Sequence, residues 1–276
     1  MSKYKLLIIV LGCLLYFQAQ AASVDTIVTR SASMKKDIKA VVILPDNYDK
    51  STSYPVVYLL HGAGGNYADW IKNVPEIKED VDLYQFIIVC PDGNVTSWYF
   101  DSPIDPTWKY ETYVSSELIN SIDKKYSTIK NRSGRAITGL SMGGHGALSL
   151  AFKHQSVYSA VGSLSGGVDL CPFPNNWNIS KRLGAYAEYP DRWKSNSVVN
   201  MIYMLTPNSL DIAIDCGVDD FFYAANVKLH DLLRYNNIPH DFSSRPGAHT
   251  WDYWRNSIHY QFLYFKRSFV RNSVQN

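Results

Sequence analysis

Apolar and polar positions along the chain follow a repeating strand-then-helix pattern. Short apolar runs, many of them β-branched, are separated by longer stretches in which apolar residues recur at helical spacing. The pattern predicts strands at 38–44, 56–60, 86–90, 136–140, 160–164, 212–216 and 240–244, and helices at 112–125, 142–153, 221–236 and 251–269. Apolar strands that alternate with helices are typical of a mostly parallel sheet with helices on both faces. We therefore expect an α/β fold.

One stretch departs from this pattern. Residues 166–210 are rich in Pro, Asn and aromatic residues and are longer than an ordinary connection between a strand and a helix. Long connections of this kind often form lids or binding loops. We see no internal repeat and no linker, so residues 22–276 are predicted to form a single domain with a cap-like insertion at about 166–210.

The first 21 residues have the pattern of an export signal. Lys3 and Lys5 precede an apolar run at 6–17, and residues 19–21 form a small-x-small cleavage site. The run is too short to span a bilayer. We expect a signal peptide at 1–21 and a mature protein that is periplasmic or secreted. Cys13 leaves open a second route, a lipoprotein anchored through this cysteine, although the apolar run continues past it.

Charge and cysteine content narrow the classes of partner. The chain has 27 Lys and Arg against 25 Asp and Glu, and the predicted signal removes two lysines and no acidic residue. A balanced mature chain does not favour nucleic acid or an anionic membrane as partner. An odd number of cysteines remains, Cys90, Cys171 and Cys216, so at least one thiol is unpaired or pairs between chains. No spacing typical of a metal site is present, and we expect neither metal nor cofactor.

The pentapeptide Gly-Leu-Ser-Met-Gly at 139–143 is the strongest chemical signal. It follows a predicted strand and precedes a predicted helix, which is the context of a nucleophile on a sharp strand-to-helix turn. This context predicts Ser141 as the nucleophile. The Met142 amide at the start of the helix would be one donor to an oxyanion, and Ala63, in the glycine-rich segment 61–65 after another strand, would be the second.

A nucleophilic serine needs a base and an acid that orients it, in the chain order serine, acid, histidine for this kind of turn. His249 follows the last predicted strand and would lie at the same edge of the sheet as Ser141. Asp219 and Asp220 follow the strand at 212–216, and only one of them can face the histidine. Asp215, inside that strand, is more typical of a structural carboxylate.

Six segments together resemble the esterase D-type branch of the α/β hydrolases, which includes feruloyl and acetyl-xylan esterases, S-formylglutathione hydrolase and the mycolyltransferases. These segments are YLLHGAGGNYADW at 58–70, PDGNVTSWYFDSP at 91–103, YETYVSSEL at 110–118, ITGLSMGGHGAL at 137–148, DCGVDDFF at 215–222 and HTWDYW at 249–254. The resemblance implies an α/β-hydrolase fold over nearly the whole mature chain and serine ester chemistry. It also implies that Asp220 is the acid and that Ala63 and Met142 donate to the oxyanion.

The substrate is less constrained than the reaction. An export signal disfavours the cytosolic S-formylglutathione role, whereas an ester linked to carbohydrate, feruloyl or acetyl, suits an exported hydrolase. The hypothesis is that Trp98, Tyr99 and aromatic residues of the insertion, including Trp177 and Trp193, line the substrate site. Two alternatives stay open: hydrolysis of a siderophore ester or a thioester, and an exported binding module without catalysis.

Overall fold

Eight strands form one sheet at the centre of the protein. A computed structural model describes residues 22–274, so the predicted signal at 1–21, with Cys13, lies outside the described residues. The strands are β1 (Ser23–Ser31), β2 (Lys36–Leu44), β3 (Val56–Leu60), β4 (Ile87–Pro91), β5 (Arg135–Gly139), β6 (Ala160–Leu164), β7 (Asp211–Gly217) and β8 (Asp241–Arg245). Their order across the sheet is β1-β2-β4-β3-β5-β6-β7-β8.

The sheet is parallel from β4 to β8, while β1 and β2 run antiparallel to their neighbours. This arrangement confirms the predicted α/β class with a mostly parallel sheet. The sequence reading missed β1, whose inward positions such as Ile27 are buried while Val24 and Val28 are exposed. An edge strand with apolar residues on both faces does not show the clean alternation that predicts a strand.

Nine α-helices are described, several of them short. They are α1 (Asp69–Asn73), α2 (Ile77–Tyr84), α3 (Tyr110–Thr112), α4 (Leu118–Lys125), α5 (Met142–Lys153), α6 (Ser180–Leu183), α7 (Pro190–Asn196), α8 (Tyr223–Tyr235) and α9 (Trp251–Val274). A π-helical turn, Tyr113–Glu117, joins α3 to α4, so the helix predicted at 112–125 begins earlier and is locally wider. Within residues 22–274 no helix is long and apolar enough to cross a membrane.

The sheet separates two hydrophobic cores. On one face, Val57 and Leu59 of β3 pack in a cluster with α1, α2 and α9, including Ile258 and Phe262 of α9. On the other face, Tyr58 of β3 packs in a cluster with α3 to α5, α8 and the insertion. Because the central strands are buried on both faces, their side chains alternate between the two cores.

The insertion at 166–210 contains more helical structure and more buried side chains than its composition suggests. It contains α6, α7 and two 3₁₀ turns, and its Leu183, Trp193 and Val198 are buried against the larger core. The Trp193 indole N–H donates to the carbonyl of Gly184 at 2.9 Å, which satisfies its polar atom inside the protein. The insertion is therefore packed against the sheet domain.

Candidate active site

Ser141 lies at the junction between β5 and α5 in a backbone conformation that few residues other than glycine adopt. Its φ is 55° and its ψ is −116°. The turn is fixed on both sides, because the Ser141 N–H donates to the Leu164 carbonyl at 2.9 Å and the Ser141 carbonyl accepts from His145 N–H at 3.0 Å. A strained serine held in this way presents its hydroxyl above the sheet edge.

The glycines two residues before and after the serine are required by close backbone packing. A Cβ on Gly139 would lie 2.6 Å from the Leu60 carbonyl oxygen and 2.8 Å from the backbone of Gly143. A Cβ on Gly143 would lie 2.6 Å from that same oxygen and 2.7 Å from the His61 carbonyl oxygen. The contacts are with backbone, which cannot move aside, so the spacing of the pentapeptide follows from how β3 and β5 meet α5.

Ser141, His249 and Asp220 form a continuous hydrogen-bonded chain. His249 Nε2 lies 2.9 Å from Ser141 Oγ, and His249 Nδ1 lies 2.8 Å from Asp220 Oδ2. The carboxylate can only accept, so Nδ1 carries the proton and Nε2 is free to accept from the serine hydroxyl. The structure thus brings together three residues that are 29 and 108 positions apart.

Two loops at the carboxyl ends of β7 and β8 bring the acid and the histidine together. The Asp219 N–H donates to the Gly247 carbonyl at 2.9 Å, and the Val218 N–H donates to the Arg245 carbonyl at 3.0 Å. Within the first loop, Asp220 Oδ1 accepts from the Phe222 N–H at 2.8 Å. These bonds hold the carboxylate in one orientation.

The neighbouring carboxylates have different environments. The Asp220 side chain is completely buried, whereas Asp219 is exposed to solvent. Asp215 is buried inside β7, where it accepts from the Tyr253 hydroxyl at 2.5 Å and pairs with Arg245. Its partners tie β7 to β8 and to α9, which agrees with the structural role expected for it.

The predicted oxyanion donors lie on either side of Ser141. A Cβ on Gly62 would be 3.4 Å from the Ser141 Cβ, which places the segment 61–65 directly beside the serine, and Ala63 lines the same cavity as Ser141. Met142 begins α5. Within the described residues, neither the Ala63 N–H nor the Met142 N–H donates a backbone hydrogen bond. Both amides are therefore available to a ligand.

His61 anchors the segment that carries Ala63. Its Nε2 accepts from the Gly93 N–H at 2.8 Å, so its Nδ1 carries the proton and donates to the Gly62 carbonyl at 2.8 Å. The ring is buried, and burial lowers its pKa. A neutral imidazole thus fixes the loop.

An open cavity of about 460 Å³ lies over Ser141 and His249. Its lining includes the glycine-rich segment, Asp69 of α1 and four aromatic residues. The aromatic members are Trp177, Phe221, Trp251 and Trp254. A concave site that combines aromatic and apolar side chains with a few fixed polar groups is the usual form of a small-molecule site.

The prediction for Trp98 and Tyr99 is corrected by their burial. Trp98 is 1% exposed and Tyr99 is fully buried, and neither lines the cavity. The Tyr99 hydroxyl donates to the His61 carbonyl at 3.1 Å, and the Trp98 indole donates to the Trp177 carbonyl at 3.3 Å. These rings support the walls from behind. Trp193 is also fully buried, so of the aromatic residues named from sequence only Trp177 reaches the cavity.

Sequence reasoning missed four residues of the site. Phe221 follows Asp220 directly, and its ring lies 4.3 Å from the His249 ring, centroid to centroid. The Trp254 ring lies 4.8 Å from the same imidazole, centroid to centroid. Trp251 and Asp69 complete the lining. All four lie within the segments at 58–70, 215–222 and 249–254, so their nearness to the predicted triad was the signal that could have found them.

Among the described residues, no group of three or more His, Cys, Asp or Glu side chains is arranged to hold a metal ion. Cys90, Cys171 and Cys216 are all free thiols. Burial raises the pKa of Cys90 and Cys216, both of which lie in strands of the sheet. None of these three cysteines lines the cavity.

Comparison with known proteins agrees with this architecture. The Esterase family, described as "Putative esterase", matches residues 31–265. An acetyl esterase from Caldicellulosiruptor saccharolyticus is 27% identical over 254 residues, which cover 83% of this chain and 92% of the relative.

Solved structures show the same fold. A ferulic acid esterase superposes with a TM-score of 0.78 at 29% identity and covers 90% of this chain and 98% of its own. An S-formylglutathione hydrolase from Agrobacterium tumefaciens has the same TM-score at 19% identity, covering 91% and 97% of the two chains, which shows a common fold. The chain belongs to the Esterase family and is a serine carboxylesterase of the α/β-hydrolase fold.

Proposed function

We propose that the protein hydrolyses acyl esters linked to carbohydrate, feruloyl or acetyl, through an acyl-enzyme on Ser141. The observation that carries this proposal is the hydrogen-bonded chain from Ser141 Oγ through His249 to Asp220. In the first half of the reaction, His249 Nε2 takes the hydroxyl proton while Oγ attacks the ester carbonyl. The buried Asp220 carboxylate holds the Nδ1–H tautomer and stabilises the imidazolium that forms.

The negative charge of the tetrahedral intermediate needs donors that do not have to reorganise. The amides of Ala63 and Met142 supply them in this proposal, and the N-terminus of α5 adds its partial positive charge. His249 then gives its proton to the leaving alcohol. In the second half, water attacks the acyl-enzyme with His249 again acting as base, and the acid is released.

The cavity and two relatives support a carbohydrate-linked substrate. Aromatic rings on several sides of the serine suit a flat acyl group or the apolar face of a sugar. One similar protein is named acetyl esterase and one similar structure is named ferulic acid esterase. The predicted export signal at 1–21 is part of the proposal, because it would deliver the enzyme to polymeric substrates outside the cytoplasm.

A panel of esters tests the proposal with one matched variant. The mature protein and its Ser141→Ala variant are assayed on p-nitrophenyl acetate, p-nitrophenyl butyrate, methyl ferulate, acetylated xylan and a thioester. Release of ferulate or xylan acetate that is lost in Ser141→Ala is the expected result. Activity confined to nitrophenyl esters or to the thioester would reject the carbohydrate-linked substrate, while activity that survives in Ser141→Ala would reject the mechanism.

A further inference from the structure

The cavity over Ser141 carries a negative charge that no cation balances. Asp69 is its one carboxylate, and no Lys or Arg is among the residues that line it. Within residues 22–274, Asp69 forms no ion pair, although eleven such pairs are present elsewhere. The proposed mechanism does not use this carboxylate.

Asp69 is held in place by the loop that precedes α1. Its Oδ2 accepts from the Asn66 N–H at 3.1 Å, and the Asn66 side chain in turn accepts from the Ala68 N–H at 2.9 Å. Gly65 packs so closely against Oδ2 that a Cβ there would collide with it. This arrangement resembles a capping box, and it gives the Oδ2 oxygen of Asp69 a hydrogen-bond donor. Oδ1 makes no hydrogen bond with any described residue.

Four aromatic residues also line the cavity. Trp177 and Phe221 form one wall, and Trp251 and Trp254 form another, with their rings 5.4 Å apart. Aromatic faces attract cations and the polarised C–H groups of a sugar, whereas they offer nothing to an anion. A fixed carboxylate among such rings accepts hydrogen bonds from hydroxyl or ammonium groups and repels a second carboxylate.

We infer that Asp69 determines specificity by charge: the cavity accepts substrate groups that are uncharged or cationic hydrogen-bond donors, and it excludes groups that carry a carboxylate. For the proposed carbohydrate esters, on which this inference builds, neutral and amino sugars would be accepted and uronic acids rejected. Asp69 acts on whatever lies beside the serine, so its effect can be measured without knowing the natural substrate.

Arylboronic acids provide that measurement, because boron bonds to an active-site serine while the ring occupies the cavity. Phenylboronic acid has no charged substituent, whereas 3-aminomethylphenylboronic acid carries an ammonium group and 3-carboxyphenylboronic acid a carboxylate at the same ring position. Their inhibition constants are measured against p-nitrophenyl acetate hydrolysis at low and high salt. We expect the carboxylate to bind at least tenfold more weakly than the ammonium compound, since a unit charge at about 6 Å in a half-exposed site corresponds to roughly tenfold. High salt reduces this ratio.

The variant Asp69→Asn removes the charge and keeps an oxygen that can accept from Asn66. It should reduce the ratio between the carboxylate and the ammonium compound at least fivefold, a comparison in which any effect of Asp69 on the anionic boronate formed with Ser141 cancels. Asp49→Asn is the matched control, because Asp49 is exposed and also accepts from a nearby backbone N–H, that of Ser51 at 3.0 Å. It lies before β3, at the end of the strand opposite Ser141.

Two outcomes would overturn the inference. One is a wild-type enzyme that binds the carboxylate as tightly as the ammonium compound, a result that needs no variant to fold. The other is an unchanged ratio in Asp69→Asn, or an equal change in Asp49→Asn. Neither outcome depends on the sugar substrate. If no carbohydrate ester is hydrolysed, the proposed function is rejected, and the inhibition constants of the boronic acids still test whether Asp69 selects ligands by charge.

Discussion

The rings of Trp177 and Phe221 stack at a centroid distance of 6.0 Å with their planes 17° apart. Trp177 belongs to the insertion, in left-handed backbone at a φ of 47°, and Phe221 belongs to the loop that carries Asp220. Phe221 also contacts the His249 ring. The insertion thus forms a continuous aromatic wall with the proposed catalytic loop, and the buried Trp98 holds the Trp177 carbonyl in place.

Trp177→Ala should reduce hydrolysis of aromatic esters more than hydrolysis of small ones. Loss of one of the two rings in this wall removes stacking worth about 1 kcal/mol, so kcat/KM for methyl ferulate is expected to fall about fivefold to tenfold. The same parameter for p-nitrophenyl acetate, whose acyl group is small, should change by less than about threefold, since the hydrogen-bonded chain at Ser141 remains. Steady-state kinetics on the two esters measures the difference.

Tyr235→Ala is the control for that experiment. Tyr235 is an aromatic residue at the end of α8 that is 84% exposed and does not line the cavity. Removal of this ring should leave kcat/KM for both esters unchanged. Equal losses on both esters in Trp177→Ala would show that the ring supports the fold of the insertion and does not select substrate.

The adjacent carboxylates Asp219 and Asp220 provide a matched pair for testing the acid. Asp220→Asn keeps the shape of the side chain but replaces the acceptor of the His249 Nδ1–H with an amide that favours the wrong tautomer. The turnover number kcat should fall about 10⁴-fold, as for the equivalent change in a serine protease triad. Asp219→Asn alters an exposed carboxylate one residue away and should retain kcat within about twofold.

Either of two results would contradict the assignment of Asp220. One is that Asp220→Asn retains most of the activity. The other is that Asp219→Asn loses as much activity as Asp220→Asn. Circular dichroism of both variants checks that each keeps the secondary structure of the wild-type protein. Labelling by a fluorophosphonate probe provides a second measurement, because Ser141 should react slowly in Asp220→Asn and at the ordinary rate in Asp219→Asn.

The central sheet and the position of Ser141 could be predicted because local sequence determines them. Close contacts with the backbone of β3 require glycine at positions 139 and 143, so the pentapeptide itself identifies the strand-to-helix turn. The order of strands and loops then places His249 and an acid at the same edge. The choice between Asp219 and Asp220 needed the family resemblance, because burial of one and exposure of the other is a tertiary property.

The aromatic residues show where sequence reasoning fails. Trp98 and Tyr99 are large rings beside a predicted loop, and nothing in their spacing tells whether such rings face a cavity or the core. In the structure both adopt left-handed φ values, 54° and 57°, which turn them inward beneath the site. Phe221 and Trp254 reach the cavity because the loops of β7 and β8 converge, which is a long-range relationship that composition cannot reveal.

Gly143→Ala should destabilise the protein because the new methyl group meets backbone oxygens of Leu60 and His61 at 2.6 and 2.7 Å. Overpacking against atoms that cannot move is expected to cost about 3 kcal/mol in the free energy of unfolding. Urea denaturation measures this loss. Gly64→Ala is the control: its Cβ would have no neighbour within 4 Å, so only its left-handed φ of +83° opposes the change, at a cost of about 1 kcal/mol. Equal losses in the two variants would refute the packing argument.

A pair on the face opposite the insertion should make stability depend on pH. His259 of α9 lies 2.6 Å from Asp80 of α2, and this hydrogen bond raises the pKa of His259. A histidine whose pKa is raised on folding stabilises the folded state fully below its unfolded pKa of about 6.5, and this contribution is lost as the pH rises through the folded pKa.

His259→Gln should therefore lower the free energy of unfolding at pH 5.5, by about 1 kcal/mol or less because the ring is partly exposed. The difference from wild type should shrink by pH 8.5. Urea titrations at both pH values measure it, and Asp80→Asn should lower the stability at pH 5.5 in the same direction. A loss in His259→Gln that is equal at the two pH values would show that the ring contributes by packing alone.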